Sequence, residues 1–301
     1  MKLIKYFFFL LILTFNCTNK AQENKMDAKN IMEKIVIKNK IYKQPIYGIH
    51  IQSASPYEVS INDILLDSFY DSGSVDYDLD LNQWLLKSGT ITIKSKIYPT
   101  RDKPKANLVE ENIASYFQIS LYVYEKDDGQ VSKNNLKTYK FSSFTIPVPY
   151  LEEEWKMDIK LPYKLTGWDD GVNLIEEDRG KLAQEVIAKY EELFKILNSG
   201  DPYNYLKMFK KADQEYYLSN YYTKFEIEEE DKSNSQRVLD SQGKVLFKKD
   251  YILKFFANGK LVTLESMEGD SPIFSEQELD NEYFNMMLYR PTLGKPLEVI
   301  R

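Results

Sequence analysis

The 301-residue chain is 43% hydrophobic, with 40 basic against 46 acidic side chains and a formal net charge of −6. That is ample apolar material for a core in each of one or two domains, and it excludes a disordered or low-complexity chain. The acidic balance argues against nucleic acid as a partner, because affinity there comes largely from Lys and Arg neutralising phosphates.

At the N-terminus, Lys2 and Lys5 precede an apolar block over residues 6–13. The block falls short of the roughly 20 apolar residues that span a bilayer, so a cleaved export signal over residues 1–16 is expected. The boundary reads Leu13-Thr14-Phe15-Asn16-Cys17, and a short apolar block ending at the first cysteine resembles the signal peptide of bacterial lipoproteins. Phe15 and Asn16 stand where small residues are usual. The resemblance implies that Cys17 is acylated, becomes the mature N-terminus and anchors the protein to a membrane of the cell envelope, facing the periplasm or the exterior. Each buried CH₂ of an acyl chain contributes about 0.8 kcal/mol to such anchoring. Residues 17–30 are polar and weakly patterned, as a tether would be. Cys17 is the only cysteine, so an exported domain relies on its core and not on a disulfide.

From 31 to 165 the signal is alternation. Residues 47–51, 57–61, 91–97, 117–124, 139–148 and 155–161 place apolar side chains at every second position, the period of a half-buried strand. Asn62-Asp63, Asp71-Ser72-Gly73, Ser88-Gly89 and Asp127-Asp128-Gly129 punctuate these runs as turns. The expectation is an antiparallel β-sandwich, immunoglobulin-like or C2-like in outline, with a helical turn over 82–87.

From 166 to 301 the period changes. Leu182, Val186, Ile187, Tyr190, Leu193, Phe194 and Leu197 recur at intervals of three and four, the stripe of an amphipathic helix. Gly200 suits its end, and Asp201-Pro202 suits the start of a second helix running to about Tyr222. Strands are expected over 225–228 and 245–256. Asn258-Gly259 predicts a hairpin with a type I′ turn into strand 261–264. Ser275 and Glu278 are spaced as the capping box of a short helix, and final strands are expected over 286–289 and 297–300. The whole is a β-rich α+β chain: a sandwich domain, then an α+β domain with a helical hairpin and an antiparallel sheet. The second domain resembles in outline the cystatin-like or nuclear-transport-factor-like layout.

Reactive side chains are few. With one histidine, His50, and one cysteine, neither a multi-histidine zinc site nor a Cys-His pair can be built in the exported domain. No motif calls for a cofactor, and His50, between Ile49 and Ile51, reads as an outward strand residue. Asp76, Asp78 and Asp80 share one face if extended and are the candidate cation ligands. Asp169 and Asp170, in Gly167-Trp168-Asp169-Asp170-Gly171, are candidate partner-binding residues together with Trp168, Tyr217 and Tyr221, and the pair a carboxylate-dependent hydrolase would use. Trp168 is either an exposed anchor for a partner or a plug between domains. Tyr217 and Tyr221, in a helix crowded with tyrosines, are either contact surface or packed against the following sheet. The run 207–211 is basic and reads as a solvated helix face. The reading that follows is a non-enzymatic, lipid-anchored envelope protein that binds a protein partner, with an immunity-type inhibitor of an exported toxin as one concrete form. An envelope assembly scaffold is the alternative, and a hydrolase is the opposing class.

Overall fold

Among the described residues, the first half forms eight strands, most of them alternating in apolar residues: β1 (Pro45–Ser53), β2 (Tyr57–Ile61), β3 (Ile64–Phe69), β4 (Val75–Asp80), β5 (Gly89–Ile97), β6 (Gln118–Glu125), β7 (Asn134–Tyr139) and β8 (Leu151–Ile159). The computed structural model describes residues 43–71, 73–100, 107–127, 132–267, 269–276 and 281–301. Residues 1–30, with Cys17 and the tether, lie outside the described residues, as do Ser72, Asp128, Gly129 and Glu278.

Two four-stranded antiparallel sheets form, ordered β4-β1-β6-β7 and β3-β2-β5-β8. Ile49 and Ile51 of β1, Val59 and Ile61 of β2, Ile93 of β5, and Ile119 and Leu121 of β6 meet in one buried cluster. This is the expected sandwich. Its strand order sets β1 beside β4 and β6, whereas immunoglobulin order sets the first strand beside the second. Asn62 and Asp63 both take positive φ, at 49° and 64°, and join β2 to β3 directly, with Ile61 opposite Ile64; type I′ geometry requires this of both central residues.

Strand β7 ends at Tyr139 and does not run on to Val148. Pro147 and Pro149 lack the N–H a ladder needs, and Val148 makes only an isolated bridge with Val109. The expected helical turn is confined to Asn82–Trp84. Asn82 is fully buried: its amide nitrogen donates to the carbonyls of Pro45 (3.0 Å) and Ser219 (2.9 Å), and its oxygen accepts from the Tyr47 N–H (2.9 Å).

The second half opens with three helices: α1 (Arg179–Ser199), α2 (Pro202–Ser219) and α3 (Lys224–Asp240). Asp178 caps α1 through the Lys181 N–H, and Gly200 ends it at φ 62°, a conformation glycine adopts without a Cβ penalty. Asp201 caps α2 through the Asn204 N–H, with Pro202 in the first turn. Helix α3 occupies the segment read as strand 225–228. Thr223 and Glu226 form a reciprocal capping box at its start, satisfying two N–H groups that a helix end otherwise leaves without partners. Tyr190, Leu193 and Leu197 of α1 pack with Val262 and Leu264 of the following sheet.

That sheet is antiparallel, ordered β10-β11-β14-β15: β10 (Tyr251–Phe256), β11 (Leu261–Ser266), β14 (Leu288–Tyr289) and β15 (Glu298–Val299). A smaller one is ordered β13-β12-β9: β9 (Val245–Phe247), β12 (Ile273–Ser275) and β13 (Glu282–Tyr283). Ser275 is the last residue of β12, and its expected capping partner Glu278 lies outside the described residues.

The β10–β11 hairpin forms as expected around Asn258 and Gly259, at φ 55° and 85°, with the Lys260 N–H closing on the Ala257 carbonyl (3.2 Å), and a second turn overlaps this one a residue earlier. Ala257 and Asn258 carry φ of 53° and 55°, and the Gly259 N–H closes on the Phe256 carbonyl. The sandwich holds this loop: Asp63 accepts the Ala257 N–H at its carbonyl (3.0 Å) and the Asn258 N–H at its carboxylate (2.7 Å). Two hairpin tips therefore lock together over a cluster containing Ile64, Trp168, Phe256 and Leu261. Gln44–Arg301 forms one compact unit. Among the described residues, no helix is long and apolar enough to cross a membrane.

Candidate binding groove

The acidic strand face is real and largely spent on internal partners. Asp78 lies opposite His50 in the β1–β4 ladder; the two ring nitrogens of His50 reach Asp76 (3.1 Å) and Asp78 (3.0 Å). His50 is the half-buried hub of an ion-paired strand face. Burial works against the Asp78 charge, yet hydrogen bonds from Lys133 and His50 hold its carboxyl below the usual range. Burial pushes the Asp80 carboxyl up, with the Tyr124 hydroxyl donating to it at 2.9 Å. Among the described residues, no group of three His, Cys, Asp or Glu side chains is arranged to hold a metal ion.

Asp169 is bound by the Lys87 ammonium, whose hydrogen bond holds the carboxyl low, while Asp170 is exposed. Trp168 is not an exposed anchor. It is buried under the locked hairpin tips, and the Arg301 guanidinium lies 5.0 Å from its ring centroid. Tyr217 and Tyr221 are likewise interior and not contact surface, 5% and 3% exposed. The Tyr217 hydroxyl donates to Asp231 at 2.8 Å, and the Tyr221 hydroxyl reaches the Pro45 carbonyl at 3.3 Å. A buried phenol needs such a partner, so these rings serve packing. A cleft of about 320 Å³ at the seam, lined by Trp84, Lys87, Trp168, Asp169 and Lys260 among others, has its charges satisfied: both lysines hydrogen-bond Asp169.

The larger opening is elsewhere. A groove of about 900 Å³ runs between α1 and α2 and is closed at one side by β15. Its floor is apolar, with Ala188 and Ile196 from α1, Met208 from α2, and Leu297 and Val299 from the sheet. Its rim carries five lysines, Lys189, Lys195, Lys207, Lys210 and Lys211, against two glutamates, Glu192 and Glu298. Lys189 is paired with Glu192 (2.9 Å) and Lys211 with Glu298 (3.2 Å). Lys195, Lys207 and Lys210 have no carboxylate partner among the described residues. Among the described residues, strand β15 is the last in its sheet.

Local geometry explains the placement. On α1 the buried stripe is Leu182, Val186, Tyr190, Leu193 and Leu197; Lys189, Glu192, Lys195 and Ile196 form a second stripe at helical spacing beside it. Asn204, Lys207, Met208 and Lys211 repeat the pattern on α2. The basic run 207–211 is thus one wall of a groove. The spacing at 189, 192, 195 and 196 was the available signal for the other wall, whereas β15 had none. No protein-family model, curated protein or solved structure matches the chain.

Proposed function

We propose that the protein is a lipid-anchored component of the bacterial cell envelope that has no chemistry of its own and works by holding a protein partner in the α1–α2 groove. An immunity-type inhibitor of an exported toxin is one concrete form of that role. The observation that carries the binding reading is the groove itself: about 900 Å³, apolar at its floor and lysine-rimmed, on a chain of net charge −6. Binding sites characteristically combine such an apolar floor with a few placed polar groups. The anchor is supported by Lys2, Lys5, the apolar block and Cys17. A non-catalytic role is favoured because His50 and Asp169 are committed to internal partners.

Mass spectrometry of the native N-terminus tests the anchor, with an acylated Cys17 expected and an unacylated N-terminus in a soluble fraction refuting it. Purification from envelope extracts tests the binding role. A stoichiometric protein lost on Met208→Trp, which fills the floor without altering charge, is expected. Turnover of a glycan or ester by the purified protein, with no such protein recovered, overturns the reading.

A further inference from the structure

We infer that the occupant of the α1–α2 groove is a short acidic stretch of polypeptide carrying an apolar residue between its carboxylates. The inference rests on the binding reading above and names the chemistry of the partner.

Charge comes first. Lys207 and Lys210 are three apart and Lys207 and Lys211 four apart on α2, so these ammonium groups are neighbours on one helix face, and like charges so placed oppose the helix. Lys195 adds another from α1. Glu192 and Glu298 answer only Lys189 and Lys211. The remaining three lysines have no carboxylate within ion-pair distance among the described residues, and a negatively charged partner supplies one.

Shape separates the kinds of anion. The floor under this rim is Ile196, Met208, Leu297 and Val299, and neither the phosphate string of a nucleic acid nor a free inorganic anion has anything to bury there. A peptide alternating carboxylate and aliphatic side chains matches both layers. Wall length sets its size: Asn204 to Gln214 on α2 spans about 15 Å at 1.5 Å per residue, which is four or five residues of extended chain at roughly 3.3 Å each.

The test is fluorescence anisotropy on the purified protein with a fluorescein-labelled Glu-Leu-Glu-Leu-Glu-Leu peptide. A Lys-Leu peptide of equal length, inorganic triphosphate and a short single-stranded RNA serve as competitors. Saturable binding is expected, weakening as salt rises and falling about tenfold or more in the Lys207→Glu, Lys210→Glu double variant, with none of the competitors displacing the peptide. The double variant's melting curve is recorded alongside, and wild-type salt dependence gives a readout that needs no variant. No binding by wild type, binding indifferent to salt and charge reversal, or displacement by triphosphate or RNA overturns the inference. The two readings fail separately. A native partner lost on Met208→Trp but retained by the double variant keeps the groove and discards its acidic occupant; a partner retained by both discards the groove as well.

Discussion

Asp213 of α2 is a carboxyl whose replacement should stabilise the protein, increasingly as the pH rises from about 4 to 7. Burial, then the charges of Asp231 and Glu230 on α3, push it from its ordinary 3.8 up to about 7. The Tyr217 hydroxyl is already committed to Asp231. A carboxyl whose folded value is raised binds its proton more tightly in the native state, so its contribution is fully present below about pH 4 and is lost as pH rises through 7. The whole displacement corresponds to about 4 kcal/mol as a ceiling, and to about 2 kcal/mol once solvent around the half-buried pair is allowed for. Asp213→Asn keeps the shape and cannot ionise. The variant should melt close to wild type at pH 4.5 and above it at pH 8 by roughly 4–8 °C, given about 2–4 °C per kcal/mol for a unit this large. Circular dichroism melts at both pH values decide the matter. An equal offset at the two pH values, or a wild type that gains on the variant as pH rises, would refute the electrostatic reasoning.

Arg290 is 5% exposed and bonded by its side chain to Glu177 (2.7 and 2.9 Å) and Glu185 (2.9 Å). Arg290→Ala strands those carboxylates and should cost about 3–5 kcal/mol in urea unfolding; a loss below about 1 kcal/mol would show that water replaces the arginine. Thr223→Ala removes the side-chain half of the α3 capping box and should cost about 1 kcal/mol, with amide exchange in the first turn of α3 rising before that of α1. Gly259 has φ 85°, and a Cβ there would collide with Asn173 and Ile175. Gly259→Ala should therefore lose about 2 kcal/mol or more, and a neutral result in chemical denaturation would mean that the hairpin tip shifts freely.

Much of the fold was legible because period and punctuation agreed. The strands at 47–51, 57–61 and 91–97, and the α1 stripe ending at Gly200, each combine one spacing with one turn or cap residue. Legibility failed where neighbours in space overrode the local pattern. Phe225 and Ile227 alternate like a strand, yet Phe225 is exposed, Ile227 is buried, and the capping box fixes a helix. The Asn258-Gly259 turn formed where its residues placed it, but its anchor was invisible: Asp63, nearly two hundred positions away, holds the Ala257 and Asn258 N–H groups. Trp168, Tyr217 and Tyr221 stood out by composition, but a count of rings cannot say which face solvent. The groove was half legible: the lysines of α2 were visible as a basic run, while β15 and the second stripe of α1 join them only after folding.

The buried amide of Asn82 has a mechanical consequence. It grips the last turn of α2 at Ser219 and the first strand of the sandwich at Pro45 and Tyr47, so these two distant pieces of chain share one rigid rivet. A displacement of the end of α2 relative to β1 has to break hydrogen bonds of a fully buried amide, which costs more than breaking solvated ones. The helix pair and the sandwich are therefore joined through a side chain as well as through the backbone that connects them.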